Sequence, residues 1–154
     1  MSGEPNMRRS QQIMRLPVED VYATLILHDG ERSEVILFVS PDEDIERVLG
    51  AREPFLPVVR NGKVALVARR AIAALGVSTV AETPVDGDLP VETQHASVRL
   101  RSGATLEGEL RWTAPAASKR TADYLNADEA FVKVHTPETT FYVVKDQIAL
   151  VEEH

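Results

Sequence analysis

Cysteine is absent from this sequence, which excludes disulfides, thiolate zinc sites and cysteine nucleophiles. Aromatic residues make up only 5% of it, with a single tryptophan, so little is available to build a base-stacking platform. No apolar run approaches the length of a membrane span. Residues 1–16 are polar and arginine-containing, without the apolar centre of a secretory leader. The expected location is therefore the cytoplasm. Basic excess is missing too: the formal charge is −7, and more than half of it falls in residues 77–94, which hold four acids and no base. The segments on either side are nearly neutral and carry no basic stripe of the kind nucleic acid attracts. No P-loop, Gly-x-Ser-x-Gly or dinucleotide fingerprint occurs.

What the chain does have is a repeat. Residues 23–40 align without a gap on 96–113, and residues 49–75 align on 125–151. Leu27/Leu100, Gly30/Gly103, Glu34/Glu107, Leu37/Leu110, Phe55/Phe131, Val58/Val134, Val67/Val143 and Ile72/Ile148 fall in register. One supersecondary unit is used twice. The organisation follows: a flexible start over 1–20 with a short helix near 7–16, module one over 21–76, an acidic linker over 77–94, and module two over 95–154. Each module is too small to bury much core by itself, so the two are expected to lean on each other.

The pattern within a module predicts mainly β structure with short helices. Two β-rich runs flank Asp29-Gly30, a hairpin signal that favours a type I′ turn. Ser40, Pro41 and Glu43 read as a capping box opening a helix that Gly50 ends. A second hairpin turns at Asn61-Gly62, and a short apolar strand follows around Ile72. Module two repeats the plan, with residues 116–127 in place of the capped helix.

Comparing the copies separates the two faces of the strands, since side chains alternate. Leu25 and Leu27 match Val98 and Leu100, the shared core face. Their neighbours differ: Ile26, Ile36 and Phe38 stand where module two has Arg99, Glu109 and Arg111. The outer face of module one is apolar and must be covered. Either the N-terminal segment or module two packs on it, or it docks a partner or another subunit.

Residues 98–110, VRLRSGATLEGEL, resemble the opening of Sm-like proteins, and Tyr142-Val-Val-Lys-Asp-Gln-Ile148 resembles their closing strands, especially those of the bacterial host-factor RNA chaperone. The resemblance implies two tandem, strongly bent five-stranded small barrels of Sm-like or SH3-like form, able to assemble into rings. It also implies an RNA-facing basic set, which here falls on Arg69, Arg70 and Lys145. The family's Asp…Asn element has its nearest match in Asp123-Tyr-Leu-Asn126, displaced by an insertion, and module one has Arg47-Val-Leu-Gly50 there. The same stretch resembles uncharacterised bacterial proteins with an Arg-x-x-Asp-x-Leu-Asn segment.

The remaining polar residues suggest structure before chemistry. His28, His95, His135 and His154 lack metal-ligand spacing, so no metal and no cofactor is expected. Glu34 and Glu107 follow hairpin turns, where exposed carboxylates are ordinary. Lys119, Arg120, Asp123 and Asn126 form the most distinctive polar cluster, with Arg120 and Asp123 spaced to staple a helical turn. The sequence therefore predicts a non-catalytic interaction or scaffold protein that self-associates or binds a protein partner. The alternative is an Sm-like single-stranded RNA binder. No membrane association is expected.

Overall fold

A computed structural model describes residues 18–79, 91–113 and 120–154. The helix expected near 7–16, most of the acidic linker and Lys119 lie outside the described residues. Module one contributes β1 (Glu19–Leu27), β2 (Arg32–Val39), helix α1 (Ile45–Gly50), β3 (Phe55–Arg60), β4 (Lys63–Ala68), a 3₁₀ turn (Arg69–Ala71) and β5 (Ile72–Ser78). Module two contributes β6 (Val91–Leu100), β7 (Thr105–Thr113), helix α2 (Thr121–Leu125), β8 (Phe131–His135), β9 (Thr139–Val144), a 3₁₀ turn (Lys145–Gln147) and β10 (Ile148–Glu153).

The ten strands form one antiparallel sheet, β10-β6-β7-β8-β9-β5-β1-β2-β3-β4, which does not close. Within each half the order is the same: the fifth strand lies beside the first, followed by the second, third and fourth. The halves join where β5 pairs with β9. At the other two ends, β4 and β10 each have one neighbour among the described residues.

Local chemistry explains the turns, and the structure corrects one turn type, one helix start and the extent of the linker. The β1–β2 turn is not a two-residue type I′ loop. Gly30 N donates to Leu27 O at 2.9 Å, Leu27 N donates to Glu31 O at 2.9 Å, and Gly30 has φ 93°. This is a tight turn closed by a left-handed glycine, and Gly103 repeats it with φ 98°. Asn61 and Gly62 have φ 54° and 75°, the double positive that a type I′ turn requires. Helix α1 starts later than the Ser40 box suggests: Asp44 caps it by accepting from Arg47 N at 2.8 Å, while Glu43 reaches back to Ser40 N. Asp44 is a strong cap in its own right, and Pro41 sits in the preceding turn. The linker is also shorter than composition suggests, because β5 extends to Ser78 and β6 begins at Val91.

Two apolar clusters fill the interior, and each borrows from the other half. Cluster one, built on Leu25, Leu37, Val58, Ile72 and Leu75, includes Tyr142 from module two. Cluster two, built on Val98, Leu110, Val132 and Val143, includes Ile26, Ala73 and Ala74 from module one.

Candidate docking surface

The junction between the halves shows how one module covers another. Leu75 lies opposite Tyr142 and Gly76 opposite Phe141. Gly76 is required by close approach, since a Cβ there would fall 2.6 Å from the Phe141 ring. Lys133 stands 3.9 Å from Glu46 of α1 and 5.2 Å from the Tyr142 ring centre. Arg32 lies over the Phe141 ring at 5.6 Å. Thr79 closes the seam, its N–H donating to Glu138 O at 3.1 Å. Packing and pairing together leave Tyr142 only 7% exposed.

The equivalent surface of module one is open. Phe55, Pro57 and Val59 of β3 share one face with Val64, Leu66 and Ala68 of β4, because Pro57 pairs with Leu66, Val59 with Val64 and Phe55 with Ala68. None of the six is charged. Leu66, the counterpart of Tyr142, is 67% exposed, and Val64 is 72% exposed. The face continues through Ile36, which pairs with Val59, to Tyr22. Of the three positions suspected from the sequence, Phe38 is 46% exposed and Ile36 is half-buried. Ile26 is not available: it is 2% exposed within cluster two, because module two packs over that end of the face. Sequence comparison missed Phe55, Val64 and Leu66. Their continuous apolar runs, 55–59 and 64–68, were visible, but only the strand order reveals that β4 ends the sheet.

The basic set is mostly engaged. Arg69 donates from Nε to Val48 O at 2.9 Å, and from one terminal nitrogen to Glu53 O at 2.5 Å and Phe55 O at 3.2 Å. Lys145, its counterpart, donates to Ala127 O at 2.6 Å. Their backbone N–H groups bond equivalent carbonyls, Pro54 and Ala130. Each cation thus ties the helix-to-strand connector to the 3₁₀ turn of its own module. Arg70 is exposed and lines a shallow depression with His28, Arg101 and Gln147, where the modules' β1–β2 and β6–β7 turns meet.

The other candidates hold local structure. Arg120 pairs with Asp123 at 3.4 Å, and the Asp123 carboxylate accepts from Arg120 N at 3.2 Å. Hydrogen bonds from the Arg120 side chain, then its backbone, hold the Asp123 carboxyl below its ordinary range. Asn126 caps the end of α2, its N–H donating to Ala122 O. Glu34 and Glu107 accept from Thr24 and Ser97 across equivalent strand pairs, at 3.1 and 2.7 Å. His135 is buried against Thr140. Trp112 stacks on Tyr124 with centroids 5.0 Å apart, and burial pushes the Tyr124 hydroxyl pKa up.

No known family model, curated protein or solved structure matches the chain. Among the described residues no group of three or more His, Asp or Glu is placed to hold a metal, and no helix is long and apolar enough to cross a membrane.

Proposed function

We propose that this chain is a non-catalytic interaction or scaffold protein made of two fused Sm-like modules, each a small, strongly bent barrel. The repeated strand order and the 3₁₀ turn before each fifth strand support the module reading. The observation that carries the function is the uncharged outer face of β3 and β4, with Phe55, Val64 and Leu66 exposed. Covering such side chains contributes about 1.5–3 kcal/mol each, so a contiguous set favours a bound partner. The RNA-binding alternative is the weaker reading, because Arg69 and Lys145 are committed to carbonyls and only Arg70 of the three extends without such a bond.

Leu66→Glu tests the proposal. A docking face is wet in the isolated chain, so the variant is expected to melt within a few degrees of the parent. Any assembly seen by light scattering should weaken. A fall of many degrees at unchanged mass would overturn the reading, since it would mean that the chain's own residues pack over the face.

A further inference from the structure

We propose that Asn61-Gly62, the tip of the β3–β4 hairpin, is a site of spontaneous covalent modification. Its asparagine converts in the folded chain to aspartate and isoaspartate, and the second product rewrites the turn. No enzyme is needed. The main-chain nitrogen of Gly62 attacks the side-chain amide carbon of Asn61 and forms a nitrogen–carbon bond. The side-chain amide nitrogen leaves as ammonia, taking the proton that Gly62 gives up, and a five-membered succinimide remains. Water then opens the ring. Cleavage at the side-chain carbonyl restores the original main chain with aspartate at 61. Cleavage at the main-chain carbonyl routes the backbone through the side-chain carbon and gives isoaspartate. The sequence of steps consumes water, releases ammonia and needs no oxidant or cofactor.

Sequence and structure together place the reaction at this turn. Asparagine occurs at 6, 61 and 126, and only Asn61 is followed by glycine. Asn126 precedes alanine, whose Cβ crowds the attacking nitrogen, and its own N–H is held by Ala122 O at the end of α2. Asn61 and Gly62 are both exposed, and a Cβ built on Gly62 would meet nothing within 4 Å, so the peptide between them has room to rotate. The Asp29-Gly30 turn could cyclise by the same chemistry but is closed. There the carboxylate accepts from Glu31 N at 2.9 Å, the glycine nitrogen donates to Leu27 O at 2.9 Å, and a Cβ on Gly30 would lie 3.3 Å from Ser102.

The two products differ in consequence. The turn spans the directly paired Arg60 and Lys63 with two residues, both at positive φ, 54° and 75°. Aspartate tolerates the left-handed region as asparagine does, so it adds only a negative charge between two cations. Isoaspartate lengthens the main chain by one carbon, and the two-residue turn loses its geometry. The next pair, Val59 and Val64, lies on the uncharged face, so the change reaches the end of that face.

The parent protein is incubated at mildly alkaline pH, shown by circular dichroism to stay folded, then digested and followed by mass spectrometry. The peptide carrying residues 61 and 62 is expected to gain the mass difference between an acid and an amide and to split into two chromatographic species. Its rate should rise with hydroxide, while peptides carrying Asn6 and Asn126 hold their masses. Asn61→Gln, whose longer side chain closes a ring poorly, should hold its mass too. The isoaspartate-bearing protein, separated by anion exchange, should melt below Asn61→Asp, because the lengthened main chain and not the charge spoils the turn. Mass gain only after unfolding in urea would overturn the proposal, since the paired strands would then hold the tip too rigidly to react. Equal gain at Asn126 would overturn it as well, and so would an isoaspartate form that melts with Asn61→Asp.

Discussion

Arg69 and Lys145 occupy one position in two modules and perform one task. A guanidinium reaches three carbonyls where an ammonium reaches one, consistent with the wider donor fork of arginine. Charge-assisted bonds to main-chain oxygens are each worth about 1.5–3 kcal/mol, and Arg69→Ala frees several at once. A net loss of about 2 kcal/mol, or about 4–8 °C in melting temperature, is expected for a chain of this size. Arg69→Lys should recover part of that loss, as Lys145 does in module two. Thermal unfolding of the two variants checks this, and an unchanged melting temperature in Arg69→Ala would contradict it. The sequence showed a basic residue at both positions but not its direction, because aim depends on the fold of the preceding connector. The Arg120–Asp123 staple was legible because it is local, a matter of helical spacing alone.

At the scale of elements, turn chemistry separated two glycine-containing hairpins that look alike in sequence. Asn61-Gly62 supplies two residues tolerant of positive φ and makes the two-residue turn. In the Asp29-Gly30 turn only Gly30 takes positive φ, and Asp29 instead accepts from Glu31 N at 2.9 Å. The β5–β9 seam offers a sharper test of element packing. Gly76→Ala would place a methyl 2.6 Å from Phe141 and 2.9 Å from Thr139, with strand backbone behind both. Overpacking of this kind costs about 1–3 kcal/mol. Gly76→Ala should therefore unfold at lower denaturant with an unchanged slope, and Phe141→Leu in the same chain should relieve part of the cost. Equal midpoints for Gly76→Ala and the parent would show that the seam is looser than the packing indicates.

Across the whole molecule the two cores are not separable. Tyr142 belongs to the module-one cluster, while Ile26, Ala73 and Ala74 belong to the module-two cluster. Losing either module exposes part of the other's core, so unfolding should be one cooperative event. Calorimetry is expected to give a single transition with van't Hoff and calorimetric enthalpies in agreement. Two resolved transitions would contradict the shared packing. Tyr142→Ala should lower the single transition without splitting it.

The sequence by itself determined the repeat, the mainly β character, the hairpin positions and the core-facing residues. These depend on period-two alternation, turn residues and register between copies, all of which are local or comparative. Only the tertiary structure decided that β5 and β9 join, that Ile26 is covered while Leu66 is open, and that Arg69 points inward. Strand order is a long-range outcome: the continuous apolar runs of β4 and β5 look alike, yet β4 ends the sheet and β5 lies inside it. The edge that makes β4 a surface therefore exists only once the sheet is assembled.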